Sequence, residues 1–239
     1  MNSRTKMAGF SLAELLIAML LGSLIVLASI QLLTTNQRTF ATQMAVTRIQ
    51  EDGQLSLRLL TNDLRTAGYS GTAKPETSGI QFGPGLSQEG ALNDTLAVTH
   101  VGISDCQGSV AATPVSITNV YSVNADSELV CDGSLTAGAA TAILPDVEGF
   151  RVLYGIDVTG DDAVGPFRFV GATSAATLAR PVVAVRVAVL LTTESSSLPE
   201  GAAKTWYVFD REVDANADKV LRRVFSTTVM LRNVDWEQI

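Results

Sequence analysis

Between Glu14 and Arg38 the sequence carries no ionisable side chain, and residues 15–33 are almost wholly apolar. A helix of about 20 residues covers the hydrocarbon core of a bilayer, so this run is long enough to span one. Residues 1–9 are polar, with Arg4 and Lys6 as their only charges. A cationic flank stays on the cytoplasmic side, which places everything after Leu33 outside the inner membrane. A cleaved secretory signal also starts with positive charge, but its apolar core is shorter and a small-x-small site follows it. Here the run leads instead into Thr34-Thr35-Asn36-Gln37-Arg38.

The remaining composition narrows the function classes. With 17 Lys and Arg against 24 Asp and Glu, the chain has a formal charge of -7, opposite to the basic footprint of a nucleic-acid binder. Its single histidine, His100, leaves no His cluster for zinc, and any Ser-His-Asp or Cys-His engine would rest on that residue alone. G-x-S-x-G, P-loop and G-x-G-x-x-G patterns do not occur, so His100 is expected to be structural, and no cofactor and no enzymatic activity are implied. Asn93-Asp94-Thr95 matches a glycosylation sequon only formally.

Glu14 does not suit a plain membrane anchor. A carboxylate inside hydrocarbon costs about 2.5 to 3.5 kcal/mol on insertion scales, so Glu14 either lies at the headgroup interface or meets a cationic group in the membrane or in a helical bundle. Gly9-Phe10-Ser11-Leu12-Ala13-Glu14-Leu15-Leu16 resembles the class III signal of type IV prepilins and pseudopilins: a short basic leader ending in Gly, then Phe, then Glu at the fifth mature position. The resemblance implies that a membrane prepilin peptidase cuts between Gly9 and Phe10 and methylates the new Phe10 amine. It also implies that Glu14 pairs with the Phe10 amine of a neighbouring subunit. Losing residues 1–9, which include Arg4 and Lys6 and no acid, leaves 230 residues and shifts the side-chain charge from -7 to -9.

The helical pattern continues past the membrane. Val46, Ile49, Gly53, Leu57, Leu60, Leu64 and Ala67 recur every three or four residues, with Arg48, Glu51, Asp52, Arg58, Asn62 and Arg65 largely elsewhere. Gly68 supplies a terminating glycine, so a helix over 10–67 is predicted, about 87 Å long. Arg48-Ile49-Gln50-Glu51-Asp52-Gly53-Gln54 and Asp63-Leu64-Arg65-Thr66-Ala67-Gly68-Tyr69-Ser70-Gly71 are similar to the PilW family of minor pilins. Gln54 stands where Arg is more usual, and Thr72 where many relatives have Cys, which removes one possible disulfide. Residues 147–157, 180–191 and 222–233 agree with the same family. The resemblance implies a subunit that joins other minor pilins and the major pilin, and that primes or caps a type IV pilus. The alternative, a minor pseudopilin of type II secretion of the J class, shares the leader and helix; the A-G-Y-x-G ending and the R-R-V-F-S-T-T-V-x-L-R-N terminus favour PilW.

The predicted organisation is a leader (1–9), a transmembrane and polymerisation helix (10–33), its amphipathic continuation (34–67) and an extracytoplasmic head (68–239). Alternating runs at 95–101, 115–123, 147–157, 182–191, 205–209 and 221–231 read as strands. An α+β fold of the type IV pilin kind is expected, with a mostly antiparallel sheet packed on the exposed half of the helix. Trp206, Tyr207 and Phe209 read as core or sheet-face aromatics. Cys106 and Cys131, the only cysteines, lie in a disulfide-permissive compartment; a bridge is favoured over two separate buried thiols. Two acidic loops, with Asp157 and Asp161 in one and Asp214, Asn216 and Asp218 in the other, are weak calcium candidates. Lys219 stands where an EF-hand has Gly and Phe225 where it has Glu, so solvated turns are the better reading.

Overall fold

The computed structural model describes residues 10–71, 79–157, 167–194 and 201–234. Its first element, α1, is a helix at Leu12–Thr66 of 55 residues, about 83 Å long. It starts two residues later than the sequence suggests because Ser11 is the N-cap, its hydroxyl accepting from the Glu14 amide. It ends as expected: Ala67 leaves the helix, and Gly68 turns the chain at φ +78°. A Cβ on Gly68 would lie 2.4 Å from the Asn233 carbonyl oxygen, so glycine is needed there for both backbone angle and space.

Among the described residues nothing covers the first half of α1, and its large apolar side chains from Leu12 to Leu33 are all exposed. Packing begins at Ala45 and follows Ile49, Gly53, Ser56, Leu60 and Leu64. Val46 and Leu57, expected in that stripe, are half-buried on its flank. The inner positions go to small residues, Ala45, Gly53 and Ser56, which let the head approach the helix axis. Positions 45, 56 and 67 repeat at eleven residues per three turns, close to the period of a straight helix, so the stripe barely drifts.

The head contains β1 (Leu96–Ser104), β2 (Val110–Val123), β3 (Leu129–Gly133), β4 (Thr141–Leu144), β5 (Val147–Asp157), β6 (Phe167–Val170), a short helix α2 (Ala172–Leu178), β7 (Val182–Glu194), β8 (Lys204–Val208), β9 (Arg211–Ala215) and β10 (Val220–Met230). These form an antiparallel sheet β1-β2-β3-β4, a second antiparallel sheet β10-β7-β5-β6, and the hairpin β8-β9. The expected single sheet is therefore divided, and β3, β4, β6, β9 and α2 had no clear sequence signal. One face of β7 presents Val185, Val187, Val189 and Leu191 to the core shared with Ile49, Leu60 and Leu64 of α1. On its other face Ala188 and Leu190 pack with Val208 and Val213 of the hairpin. That face is dry at Ala188 and Leu190 because β8-β9 covers it.

Candidate interaction site

The start of α1 combines an exposed terminus with a folded-back carboxylate. Phe10 is 88% exposed, and the Ser11 amide donates to Glu14 Oε2 at 2.9 Å while the Glu14 amide donates to Ser11 Oγ at 3.2 Å. This reciprocal capping box satisfies two amides that a helix start leaves open. Glu14 thus has a local task as well as a charge, and its side chain stands in the open beside Phe10 and Leu12. Gly9, the expected leader residue, lies outside the described residues. Beyond Glu14, α1 holds a stretch of mean hydropathy 2.5 with no part of it buried. Each CH₂ taken out of water contributes about 0.8 kcal/mol, so this bare surface requires lipid or other apolar helices around it.

Several contacts hold the second half of α1 to the head and fix the direction in which this surface projects. Gly53 faces Phe225 of β10 so closely that a Cβ would lie 2.4 Å from the ring. At the far end, Asn233 Nδ2 donates to the Ala67 carbonyl at 3.2 Å, with the Thr66 and Arg65 carbonyls at 3.5 Å, capping orphan groups of the last turn.

Asp63 ties α1 to the first sheet. Both its oxygens accept from Asn119 Nδ2 at 3.2 Å, and Oδ2 accepts from the Tyr121 hydroxyl at 3.0 Å. His100 Nδ1 stands 3.9 Å from Asp63 Oδ1, which gives the lone histidine its structural place on β1. Burial lifts the Asp63 carboxyl above the usual carboxylate range, against the opposing pull of Asn119, Tyr121 and His100. Burial and the Asp63 charge together push the Tyr121 hydroxyl up.

Asn119 Oδ1 also accepts from the Cys106 amide at 3.1 Å, which leads from Asp63 to the disulfide. Cys106 and Cys131 are bonded, with Cα atoms 6.4 Å apart, so the bridge expected from the sequence is present. Next to it, Asp105 gathers the Thr136 hydroxyl and the amides of Ser109, Gln107 and Leu135. Burial alone would raise its carboxyl, but those donors hold it below the ordinary range.

A second polar centre, absent from the sequence reading, is buried in the other sheet. Arg151 on β5 is 2% exposed and makes a bidentate contact with Asp210 at 2.9 and 2.8 Å. It also donates to Asp94 Oδ2 and Glu89 Oε1, each at 2.9 Å. Arg211 adds hydrogen bonds to the Gly90 and Ala91 carbonyls and to Glu89. Glu89 would be raised by burial but is held low by Arg151; Asp210 is held low first by its hydrogen bond to Arg151. The arrangement locks segment 88–95, β5 and the β8-β9 turn together. Asn93 belongs to it: its Oδ1 accepts from the Phe150 amide at 2.8 Å, which is where the formal sequon residue is engaged.

The acidic candidates are separated. Asp157 is buried at the end of β5 and Asp161 lies outside the described residues. Asp214 accepts from the Thr205 hydroxyl at 2.7 Å, Asn216 is exposed, and Asp218 pairs with Arg222 at 2.9 Å, where Glu148 also binds. Among the described residues no three His, Cys, Asp or Glu side chains converge on one point. Of the aromatics, Trp206 and Phe209 pack on the outer core and Tyr207 is exposed.

Comparison with known proteins follows this geometry. Residues 117–233 match the family model described as Type IV Pilus-assembly protein W, and residues 4–30 match the prokaryotic N-terminal methylation motif. The first match runs from β2 to the Asn233 cap; the second contains Glu14. A type IV-like pilin from Thermus thermophilus has a similar structure, with TM-score 0.50 and 16% identity over 78% of this chain and 96% of that one. At such identity the likeness shows the fold alone. No curated protein matches the sequence.

Proposed function

We infer that this chain, similar to the PilW family over residues 117–233 and to the N-terminal methylation motif over 4–30, primes or caps a type IV pilus in company with other minor pilins. The precursor rests in the inner membrane through residues 10–33 with its head on the periplasmic side. Prepilin peptidase cuts between Gly9 and Phe10, and Phe10 is methylated. The subunit then leaves the bilayer sideways into a bundle of like helices, where Glu14 offsets the charge of a neighbour's Phe10 amine and sets axial register. The observation that carries this reading is the bare apolar half of α1 with a single carboxylate at its start. Lipid accepts the apolar surface but not the charge; a bundle of processed pilins accepts both.

The capping box makes the test selective. Glu14→Gln keeps the cap, since Gln serves at that position, and removes the charge. Glu14→Ala removes both. Membrane insertion of the two variants is expected to match the parent, while recovery in sheared pili falls about tenfold or more for each, the size of a charge-pair loss in a dry setting. Normal recovery of Glu14→Gln would refute the charge role. Co-purification with type II pseudopilins in place of pilins would move the chain to the J class.

A further inference from the structure

An open strand edge is a template for another strand, and folded proteins cover or shorten such edges. Most margins of this head are managed in that way. The outer edge of β1 is closed by residues 68–71 and 79–88: the Gly68 amide donates to Thr99 O at 2.8 Å, the Val101 amide to Tyr69 O at 2.6 Å, and the Ala97 amide to Ser87 Oγ at 2.8 Å. β4 and β6 have four residues each, and β8 and β9 five. β10 departs from this pattern. It has 11 residues, contains neither Gly nor Pro, and pairs with β7 without a register shift.

The Leu231 amide donates to Val183 O at 2.9 Å, so by antiparallel alternation the odd-numbered residues of β10 bond to β7. Arg222, Val224, Ser226, Thr228 and Met230 then aim their amides and carbonyls away from the sheet. No described residue takes up those outward groups. The edge also has a definite direction. Gly53 meets Phe225 and Ala67 meets Asn233, so β10 runs alongside α1 in the same sense.

We propose that the outer edge of β10 receives an extended strand from the head of a different pilin subunit, adding a fifth strand to the β10-β7-β5-β6 sheet. This deepens the assembly role proposed above and rests on it. A contact between the β10 edges of two copies of this chain does not fit. Two β10 edges joined in the ordinary antiparallel sense would set their α1 helices in opposite directions, whereas chains with the same cationic leader enter the membrane with one orientation. The incoming strand takes its affinity from main-chain bonds. Arg222 is already neutralised by Glu148 and Asp218, but Arg223 is exposed, so the complementary strand carries a carboxylate beside it.

Hydrogen exchange on the full-length chain in detergent-solubilised membranes tests this, with the chain expressed alone or with the other pilins of its own system. The Val224, Ser226 and Thr228 amides, fast in the lone chain, are expected to slow at least about tenfold in the complex. Equal exchange in the two samples would overturn the proposal. Ser226→Pro removes one outward amide and no ladder bond, so disulfide formation and membrane level should hold while co-purification drops about tenfold. Should that variant fold poorly, the exchange of the parent chain decides alone. Crosslinks at Ser226 between two copies of this chain would also overturn it. Loss of all pilin co-purification by the parent would overturn the assembly role and this proposal together; intact co-purification with open β10 amides would overturn this proposal alone.

Discussion

At the residue scale, Arg151 sets the largest local stake. Removing one side of a buried charge cluster leaves the other uncompensated, which costs about 3 to 5 kcal/mol. Arg151→Met is expected to lose that much in denaturant unfolding of the detergent-solubilised chain, because buried Asp94 then keeps the Arg211 guanidinium, 3.6 Å away, but loses the closer Arg151 contact at 2.9 Å. Two carboxylates of this cluster, with Asp105 beside the disulfide and Asp218 beside Arg222, fix a pH response. Glu89, Asp210, Asp105 and Asp218 titrate lower in the native state than when unfolded, so the unfolded chain binds protons first as the medium is acidified. Their stabilisation is complete above about pH 5 and is lost as pH falls through 4 and below. Asp63 acts in the opposite sense, since a raised carboxyl favours the protonated native state and loses stability as pH rises through its native titration. Four lowered carboxyls against one raised, among the described residues outside the membrane-spanning stretch, predict a thermal midpoint that drops between pH 5 and 3, with a shallower drop in Arg151→Met. Arg151 was not legible as a site because it stands in an apolar strand sequence, and the carboxylates that bury it are 57 to 62 residues away. The one local hint is a cation between Phe150 and Val152 in a strand with no polar face.

At the element scale, α1 is held at both ends of its second half by residues remote in sequence. Asn233→Ala removes the cap on its last turn and is expected to cost about 1 kcal/mol, with faster amide exchange confined to residues 63–67. Gly53→Ala drives a methyl group into the Phe225 ring and should destabilise by about 1 to 3 kcal/mol, recovered in large part by adding Phe225→Leu. The disulfide closes a separation of 25 residues, and its removal by Cys106→Ser with Cys131→Ser is expected to cost about 3 kcal/mol in thermal unfolding. What was legible at this scale is what local pattern encodes. The apolar run, the Ser11 cap and the Gly68 stop define α1, and the valine alternation defines β7. The division into two sheets was hidden, because β3, β4, β6 and β9 are four or five residues long and too short to show a period. Val46 and Leu57 were placed inward by hydrophobicity, whereas close approach selected the smaller Ala45 and Ser56.

For the whole molecule, the terminal segment announced its class from a few contiguous residues, since peptidase recognition and membrane insertion both read a local string. The head's edge was invisible in the same sequence: a strand's openness depends on what the rest of the chain fails to cover. The architecture also has a mechanical meaning. β10 lies along α1 and contacts it near Phe225 and Asn233, while β7 lies antiparallel to β10 over its full length. The share of any tension along α1 that passes through β10 therefore acts as sliding of β10 against β7. The ladder bonds between them bear that load side by side and must break together, unlike a strand peeled from its end, where they break in turn. A pull on the helix thus loads that ladder in shear, the direction in which its bonds act together.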